Sequence, residues 1–291
     1  MTIPLTFAIC SNRPDQLRPA VERLLRLLRP EDQLIVVADL PTPGGIGHLV
    51  GPARHDPRVR VLGNGTNLGL SHSRNRAMKE AVHSHLVFLD DDITTSPASV
   101  TALRTALADG AHVAGTRITA DLQGQHRPWF LAPGQLHYLG CHRPGHPASI
   151  WGGCFALDIE HARLLGVTFQ EHLGRTASTL SSAEDTTLVR DLVKHGATSV
   201  TLHTVEVTHQ IPAARLSLTY LLRRAYWQGR SEVRRGTALP GLRKEWRRNR
   251  TGSGTVLRLV LALLYTSAVA LGASRELVHR PDPAHHLSGE A

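Results

Sequence analysis

The chain has 291 residues, and 33 Lys and Arg against 24 Asp and Glu give it a formal net charge of +9. This length suits one domain with appendages, and its three widely spaced cysteines indicate neither a disulfide framework nor a CxxC metal site. The N-terminus lacks the basic leader and cleavage site of a signal peptide, which predicts a cytoplasmic location.

The first 118 residues alternate strand-like and helix-like segments. Short apolar runs predict strands at residues 5–10, 34–38, 59–62, 85–89 and 112–115. Apolar residues at helical spacing predict helices at residues 15–28, 71–82 and 97–108. Such alternation with short connections predicts right-handed βαβ units and a mostly parallel sheet.

The second half of the chain begins with an irregular segment at residues 121–150, rich in Pro and Gly. A long irregular segment of this kind is usually a functional lid or binding loop, or is disordered. Further elements are predicted as strands at 151–157 and 198–207 and as helices from 159 and at 184–195, 216–235 and 256–275.

Positive charge is concentrated near the C-terminus. Residues 215–250 hold eleven Lys and Arg and two Asp and Glu, an excess equal to that of the whole chain. Such a block favours an anionic partner. Few aromatic residues are interleaved with it, which argues against nucleic acid.

Residues 259–274 are uncharged and slightly short for a membrane-spanning helix. Two interpretations therefore fit the C-terminal segment. A helix packed on the domain is the one we favour, and the other is peripheral membrane contact through residues 215–275, at the inner face of the membrane.

The fourth predicted strand ends in three consecutive carboxylates, Asp90, Asp91 and Asp92. In open α/β sheets, ligands bind beyond the carboxyl ends of the strands. Oxygen ligands at such a position suit Mg²⁺ or Mn²⁺, which usually carry substrate phosphates. The alternative is a solvated loop that caps the next helix.

A second candidate segment, residues 64–77, leads from a strand end through glycines into a helix and contains Arg74. A glycine turn, a helix N-terminus and an arginine together can hold an anion. Asn and Gly also make ordinary turns, and Ser71 is also an ordinary N-cap.

Taken in order, these segments resemble family 2 glycosyltransferases of the GT-A fold. Residues 67–75, Asn-Leu-Gly-Leu-Ser-His-Ser-Arg-Asn, resemble that family's N-x-G-x-x-x-A/S-R-N segment. Residues 88–92 resemble its strand-terminal D-x-D, and Glu184-Asp185 resembles its E-D motif. The resemblance covers about residues 3–235. It is to the bacterial, inverting members of the family.

The resemblance implies an α/β fold of the GT-A (Rossmann-like) type, a mostly parallel sheet flanked by helices. The GT-A domain would span residues 1–235, with a nucleotide-binding half at 1–118 and an acceptor and catalytic half at 119–235. Residues 236–291 would add a helical, basic C-terminal extension: a basic linker, an apolar helix and a frayed tail.

It also implies a nucleotide-diphosphate sugar as donor, with a UDP-sugar favoured over thymidine or guanosine donors. Asp39 would accept a hydrogen bond from the base, Arg74 would neutralise the diphosphate and Asp90 would approach the ribose. Asp39 is also an ordinary residue for a loop. The whole implied donor-binding set is Cys10, Ser11, Arg13, Asp39, Asn67, Gly69, Arg74, Asp90, Asp91 and Gly153.

For the metal, the resemblance implies Asp92 and Asp90 as ligands of Mg²⁺ or Mn²⁺, with His209 completing the shell. A structural or solvent-facing histidine is the alternative in a chain with 18 His.

Asp185 is the implied general base, because inverting transfer needs a carboxylate that takes the proton from the attacking hydroxyl. Glu184 could instead bind the acceptor, or the two could exchange roles. Trp151 and Gly152 are expected to line the acceptor side, although a Trp can equally fill the core. The acceptor would be a hydroxyl of a glycan, a lipid-linked sugar or a small molecule.

Two other functions remain open at this point. A nucleotidyltransferase would need a Gly-rich loop after the first strand, where this chain reads Ser-Asn-Arg-Pro at residues 11–14. A catalytically degenerate, basic binding protein at a membrane surface is supported by the positive block alone.

Overall fold

In a computed structural model of the protein, residues 3–42, 45–236, 241–249 and 256–278 are described. The strands are β1 (Thr6–Ser11), β2 (Gln33–Ala38), β3 (Val59–Gly63), β4 (His85–Leu89), β5 (Ile93–Thr94), β6 (Val113–Asp121), β7 (Cys154–Asp158) and β8 (Ser199–Gln210). The helices are α1 (Pro14–Leu25), α2 (Leu70–Glu80), α3 (Pro97–Ala108), α4 (Ile159–Leu164), α5 (Glu184–Lys194), α6 (Leu218–Arg234), α7 (Gly241–Asn249) and α8 (Val256–Val278).

All eight strands form one sheet in the order β3-β2-β1-β4-β7-β6-β8-β5. The β3-β2-β1-β4 half is parallel, as the sequence predicts. In the other half β7 runs antiparallel to both β4 and β6, and β8 is parallel to β6 but antiparallel to β5. The carboxyl end of β4 therefore meets the start of β7.

The sheet is covered on both faces, which explains why its central strands are apolar throughout. Phe7 and Ile9 of β1 contribute to the core beneath α1 and α3, whereas Ala8 and Cys10 contribute to the core beneath α2, α4 and α5. This alternation follows from the two-residue period of a strand. The fold is the mixed α/β arrangement expected of a GT-A domain.

The C-terminal helices pack on this domain. Gly229 of α6 and Gly272 of α8 lie at their crossing, where an added Cβ on either glycine would overlap a backbone carbonyl of the other helix. Glu276 also accepts hydrogen bonds from Arg230 at 2.6 Å and Arg234 at 2.8 Å. The packed alternative for α8 is thus what the structure contains.

Several elements differ from the sequence expectation. The predicted basic linker contains the helix α7. This helix is bonded to the domain by Asn249, whose side chain donates to the hydroxyl of Tyr138 at 3.1 Å. The predicted irregular segment includes the 3₁₀ helix Pro133–Leu139. The two-residue strand β5 was not predicted, because two residues carry no periodic signal. The predicted frayed tail after residue 278 lies outside the described residues.

Candidate active site

A cleft of about 700 Å³ opens at the carboxyl ends of the parallel strands. Of the residues that the sequence singled out, it brings together Cys10, Ser11, Arg13, Asp39, Arg74, Asp90, Asp91, Asp92, Trp151, Gly152, Gly153, Glu184, Asp185 and His209. Asn67 and Gly69 are not on its wall. This meeting of segments from both halves of the chain is the geometry that a transfer site requires.

The acidic run after β4 is neutralised by arginines. Arg13 donates to both carboxylate oxygens of Asp91, and its Nη2 lies 2.9 Å from Oδ2 of Asp92. The hydroxyl of Ser11 also donates to Asp91. Asp91 is therefore a buried structural carboxylate that holds the β1 and β4 ends together.

Asp92 lies among three positively charged or titratable groups. Arg215 Nη1 donates to its Oδ2 at 3.1 Å, and His209 Nε2 lies 3.2 Å from its Oδ1. Burial alone would raise the pKa of Asp92, but the hydrogen bond and charge of His209, with Arg13 and Arg215, hold it well below its ordinary value. The side chain is an ionised acceptor.

The short strand β5 explains how His209 reaches this position. Ile93, the residue after Asp92, pairs with His209 of β8, and the Gln210 amide donates to the Asp92 carbonyl at 2.9 Å. A distant histidine is thereby fixed beside the acidic run by backbone pairing.

Arg74 connects the acidic run to the predicted catalytic pair. Its guanidinium donates to Asp90 at 3.0 Å, to Glu184 at 2.9 Å and to the Gly152 carbonyl at 2.9 Å. The side chain is 2% exposed and lies near the faces of Phe88 and Phe169. Its charge is therefore directed to carboxylates in this structure, rather than to open space for a diphosphate.

The Gly152 peptide lies between Arg74 and Asp185. Its amide donates to Oδ2 of Asp185, while the Thr186 amide donates to Oδ1 at 2.6 Å. A Cβ on Gly152 would approach the Arg74 guanidinium to 2.9 Å and the Asp185 carboxylate to 3.0 Å. The absence of a side chain thus allows the arginine and the carboxylate to share this peptide.

Glu184 is buried next to Asp185, and its Oε2 has no hydrogen-bond partner in the described residues. Burial, reinforced by the charge of Asp185, raises the pKa of Glu184 to about 7, although Arg74 opposes the shift. A carboxyl group that titrates near neutral pH can hold or release a proton within the site.

Asp39 organises the loop before α2. Its Oδ1 accepts from the Asn64 side chain at 2.7 Å and the Leu68 amide at 2.8 Å. Its Oδ2 accepts from the Asn67 side chain at 2.7 Å and the Gly69 amide at 2.9 Å. With two donors on each oxygen the carboxylate is saturated, so a nucleotide base would have to displace one of them.

Three further predicted residues line the cleft with distinct surroundings. The ring of Trp151 stacks on His142 with centroids 4.0 Å apart, and the residue lines the cleft. The Gly153 carbonyl accepts from the Asp90 amide at 3.0 Å. Burial raises the pKa of Cys10 to about 12, so its thiol is neutral.

The donor set fits a divalent ion that substrate oxygens complete. Asp92 and His209 already face each other, and Asp90, whose side chain is 34% exposed, uses only Oδ1 on Arg74. Within the described ranges no three His, Cys, Asp or Glu side chains are arranged to hold an ion unaided. Mg²⁺ is commonly bound by one or two carboxylates together with substrate phosphates.

Sequence reasoning missed several arginines in and beside the cleft. Arg175, Arg215 and Arg224 line it, and Arg23 Nη2 donates to the Asp91 carbonyl at 2.9 Å from α1. The concentration of positive charge in residues 215–250 was the signal that could have suggested Arg215 and Arg224. No pattern marks Arg23 or Arg175, because their roles depend on tertiary packing.

Comparisons with known proteins agree with this fold. Residues 7–161 match the protein family described as "Glycosyl transferase family 2". No curated protein sequence matches the chain.

Solved structures resemble it at low sequence identity. The mannosyltransferase PcManGT from Pyrobaculum calidifontis, in complex with GDP-Man and Mn²⁺, is 14% identical with a TM-score of 0.58, over 99% of this chain and 79% of that one. S. aureus TarS 1–349, also solved with UDP, is 13% identical with a TM-score of 0.54, over 96% of this chain and 91% of that one. These likenesses concern the fold.

The family match, together with the mixed α/β sheet and the cleft at its carboxyl edge, identifies a glycosyltransferase of the GT-A fold. The chain belongs to glycosyl transferase family 2. This membership favours the glycosyltransferase interpretation of the sequence over the nucleotidyltransferase interpretation.

Proposed function

We propose that this glycosyltransferase moves a sugar, with inversion, from a nucleotide-diphosphate donor to an acceptor hydroxyl with the help of Mg²⁺ or Mn²⁺. The observation that supports this most directly is the linkage through Arg74, which bonds Asp90 on one side and Glu184 on the other. A donor-side carboxylate and the catalytic pair are thereby held in one cleft.

On the donor side, Asp92, His209 and Asp90 would hold the divalent ion. When bound, the ion would stabilise the charge that develops on the leaving diphosphate. Cys10, Ser11, Arg13, Asp39, Asn67, Gly69, Arg74, Asp91 and Gly153 belong to the proposed donor-binding set, some of them by holding the neighbouring loop. UDP-sugars are the first donors to test, and GDP-mannose is the second.

On the acceptor side, we assign Asp185 as the general base. Two backbone amides orient its carboxylate, whereas Glu184 is enclosed beneath Arg74. Asp185 would take the proton from the acceptor hydroxyl as that oxygen attacks the anomeric carbon. Trp151 and Gly152 line the same cleft, where the Trp ring can pack on a sugar.

The test combines donor binding with turnover. Nucleotide sugars with Mn²⁺ are screened by thermal shift, and release of nucleoside diphosphate is then measured for the donor that binds. Asp92→Asn and Asp185→Asn should each lower turnover at least 100-fold while the protein stays folded, and exposed Asp109→Asn serves as control. Full activity in both site variants would overturn the assignment.

We also propose peripheral contact with an anionic membrane through α8. Arg258–Val278 is long and apolar enough to cross a membrane and is the only such helix within the described ranges. One side packs on α6, but Val260, Leu263, Leu264 and Leu271 are 44–63% exposed. The exposed basic residues Arg243 and Arg247 lie on α7, which packs against α8. An apolar face with a basic neighbour suits an anionic leaflet.

Flotation with vesicles tests this membrane contact. Wild-type protein should float with phosphatidylglycerol vesicles more than with phosphatidylcholine vesicles. The double variant Leu263→Ser, Leu271→Ser should lose this binding while keeping nucleoside diphosphate release in solution. Equal flotation of wild type and variant would contradict the proposal.

A further inference from the structure

Seven arginines line the cleft, and they fall into two groups. Five of them, Arg13, Arg74, Arg215, Arg235 and Arg248, form ion pairs with carboxylates. The other two, Arg175 and Arg224, have no carboxylate partner among the described residues.

Arg224 is the more unusual of the two because it is buried. The residue is 5% exposed, and its guanidinium donates to the carbonyl of Tyr138 at 3.3 Å and that of Leu180 at 2.7 Å. Both acceptors are neutral. A buried guanidinium normally has an anionic partner, since removing a charge from water is otherwise unfavourable.

Arg175 adds a second positive charge next to it. Burial, and then the like charge of Arg175, lowers the pKa of Arg224 to about 10. Arg175 belongs to the loop before α5, and its carbonyl accepts from the Leu70 amide at 2.9 Å. Two arginines on different elements are thus held close together although they repel each other.

The carboxylates that could neutralise this pair are already bonded elsewhere. Glu184 pairs with Arg74 at 2.9 Å, Glu232 pairs with Arg235 at 2.5 Å, and Glu245 pairs with Arg248 at 2.8 Å. The positive charge of Arg175 and Arg224 therefore remains available to a ligand in the cleft.

Contacts of this pair point to the acceptor half of the chain. Arg74 bonds both Asp90 and Glu184, and of these two carboxylates Glu184 is the one whose charge acts on Arg224. Arg224 also contacts the carbonyls of the Pro133–Leu139 segment and of the loop before α5, both in the acceptor half.

We propose that Arg224 and Arg175 bind an anionic group of the acceptor, a phosphate or phosphodiester, in the part of the cleft near Glu184. Guanidinium groups match the oxygens of phosphate, and two of them from different elements fix its orientation. This proposal rests on the proposed function and specifies its acceptor as a phosphate-bearing molecule. Once bound there, the phosphate would position a nearby hydroxyl towards Asp185.

Calorimetry with two probes distinguishes an acceptor phosphate from the donor's own diphosphate. UDP and GDP are each titrated with Mn²⁺ into the full chain. Inorganic phosphate is then titrated both without nucleotide and after saturation with the nucleoside diphosphate that binds. Arg224→Gln and Arg175→Gln are compared with Arg26→Gln, an exposed residue of the α1 end that does not line the cleft.

We expect each cleft variant to weaken phosphate binding at least tenfold and to leave nucleoside diphosphate affinity within twofold. Unchanged phosphate affinity in both variants would refute the proposal, and so would an equal loss of nucleoside diphosphate affinity, which would assign the pair to the donor. Failure of wild type to bind either nucleotide would instead contradict the proposed function, and the phosphate titration without nucleotide would still report on Arg175 and Arg224.

Arg224→Gln removes a buried group and could prevent folding. In that case Arg224→Lys keeps the charge but loses the planar donors, and half-buried Arg175→Gln tests the site independently.

Discussion

His209 Nε2 lies 3.2 Å from Oδ1 of Asp92, although the two residues belong to different halves of the chain. The pairing of Ile93 with His209 fixes this distance through the backbone. If both side chains hold the divalent ion, His209→Ala should raise the Mn²⁺ concentration for half-maximal turnover by about 10-fold to 100-fold.

The matched control is His203→Ala, an exposed histidine on the same strand. Turnover of both variants is measured as a function of Mn²⁺ concentration at saturating donor. An identical metal dependence in the His209 variant and wild type would remove His209 from the metal site.

Glu184 should make stability depend on pH. Its pKa is raised from 4.5 to about 7, so the folded protein binds a proton more tightly than the unfolded chain. This contribution is fully present below about pH 4.5 and is lost as the pH rises through about 7. It amounts to about 3 kcal/mol, by the conversion of a pKa difference into free energy.

Urea unfolding of wild type and Glu184→Gln from pH 4.5 to pH 8 measures this effect. The difference in the free energy of unfolding should shift in favour of the variant as the pH rises. Parallel stability curves over this range would show that Glu184 has an ordinary pKa.

Asp39→Asn should destabilise the loop before α2. The carboxylate accepts four hydrogen bonds, and the new amide nitrogen would face two donors instead. The expected loss is about 2 kcal/mol in the free energy of unfolding, from unsatisfied buried donors. Asp109→Asn, at the exposed end of α3, should leave stability unchanged.

Donor affinity of the Asp39 variant is then measured at a temperature where it is folded. A loss of stability with full donor affinity would identify Asp39 as a structural residue only. A loss of donor affinity larger than that of Asp109→Asn would support contact between Asp39 and the nucleotide.

Gly272→Ala should separate α8 from α6, because its Cβ would overlap the Tyr226 carbonyl at the helix crossing. Overpacking of this kind costs about 1–3 kcal/mol, and it should appear as a lower Tm. Ser274→Ala also introduces an alanine into α8, but at an exposed position, and should keep the wild-type Tm. Equal melting of both variants would show that the crossing tolerates a methyl group.

The sequence by itself determined the parallel half of the sheet, because buried strands and amphipathic helices have periods that a single chain displays. It also located the acidic run after β4 and the Glu184-Asp185 pair, since local order along the chain carries those motifs. The cleft gathers these residues as expected, and their assigned roles remain predictions.

Only the tertiary structure decided how those groups are neutralised and by which partners. Arg74 faces carboxylates, Asp39 is saturated by the neighbouring loop, and β5 brings His209 to Asp92. These outcomes depend on contacts between residues far apart in the chain, and such contacts leave no periodic signal. For the same reason, the juxtaposition of Arg175 and Arg224, neither of which has a carboxylate partner among the described residues, emerged only from the fold.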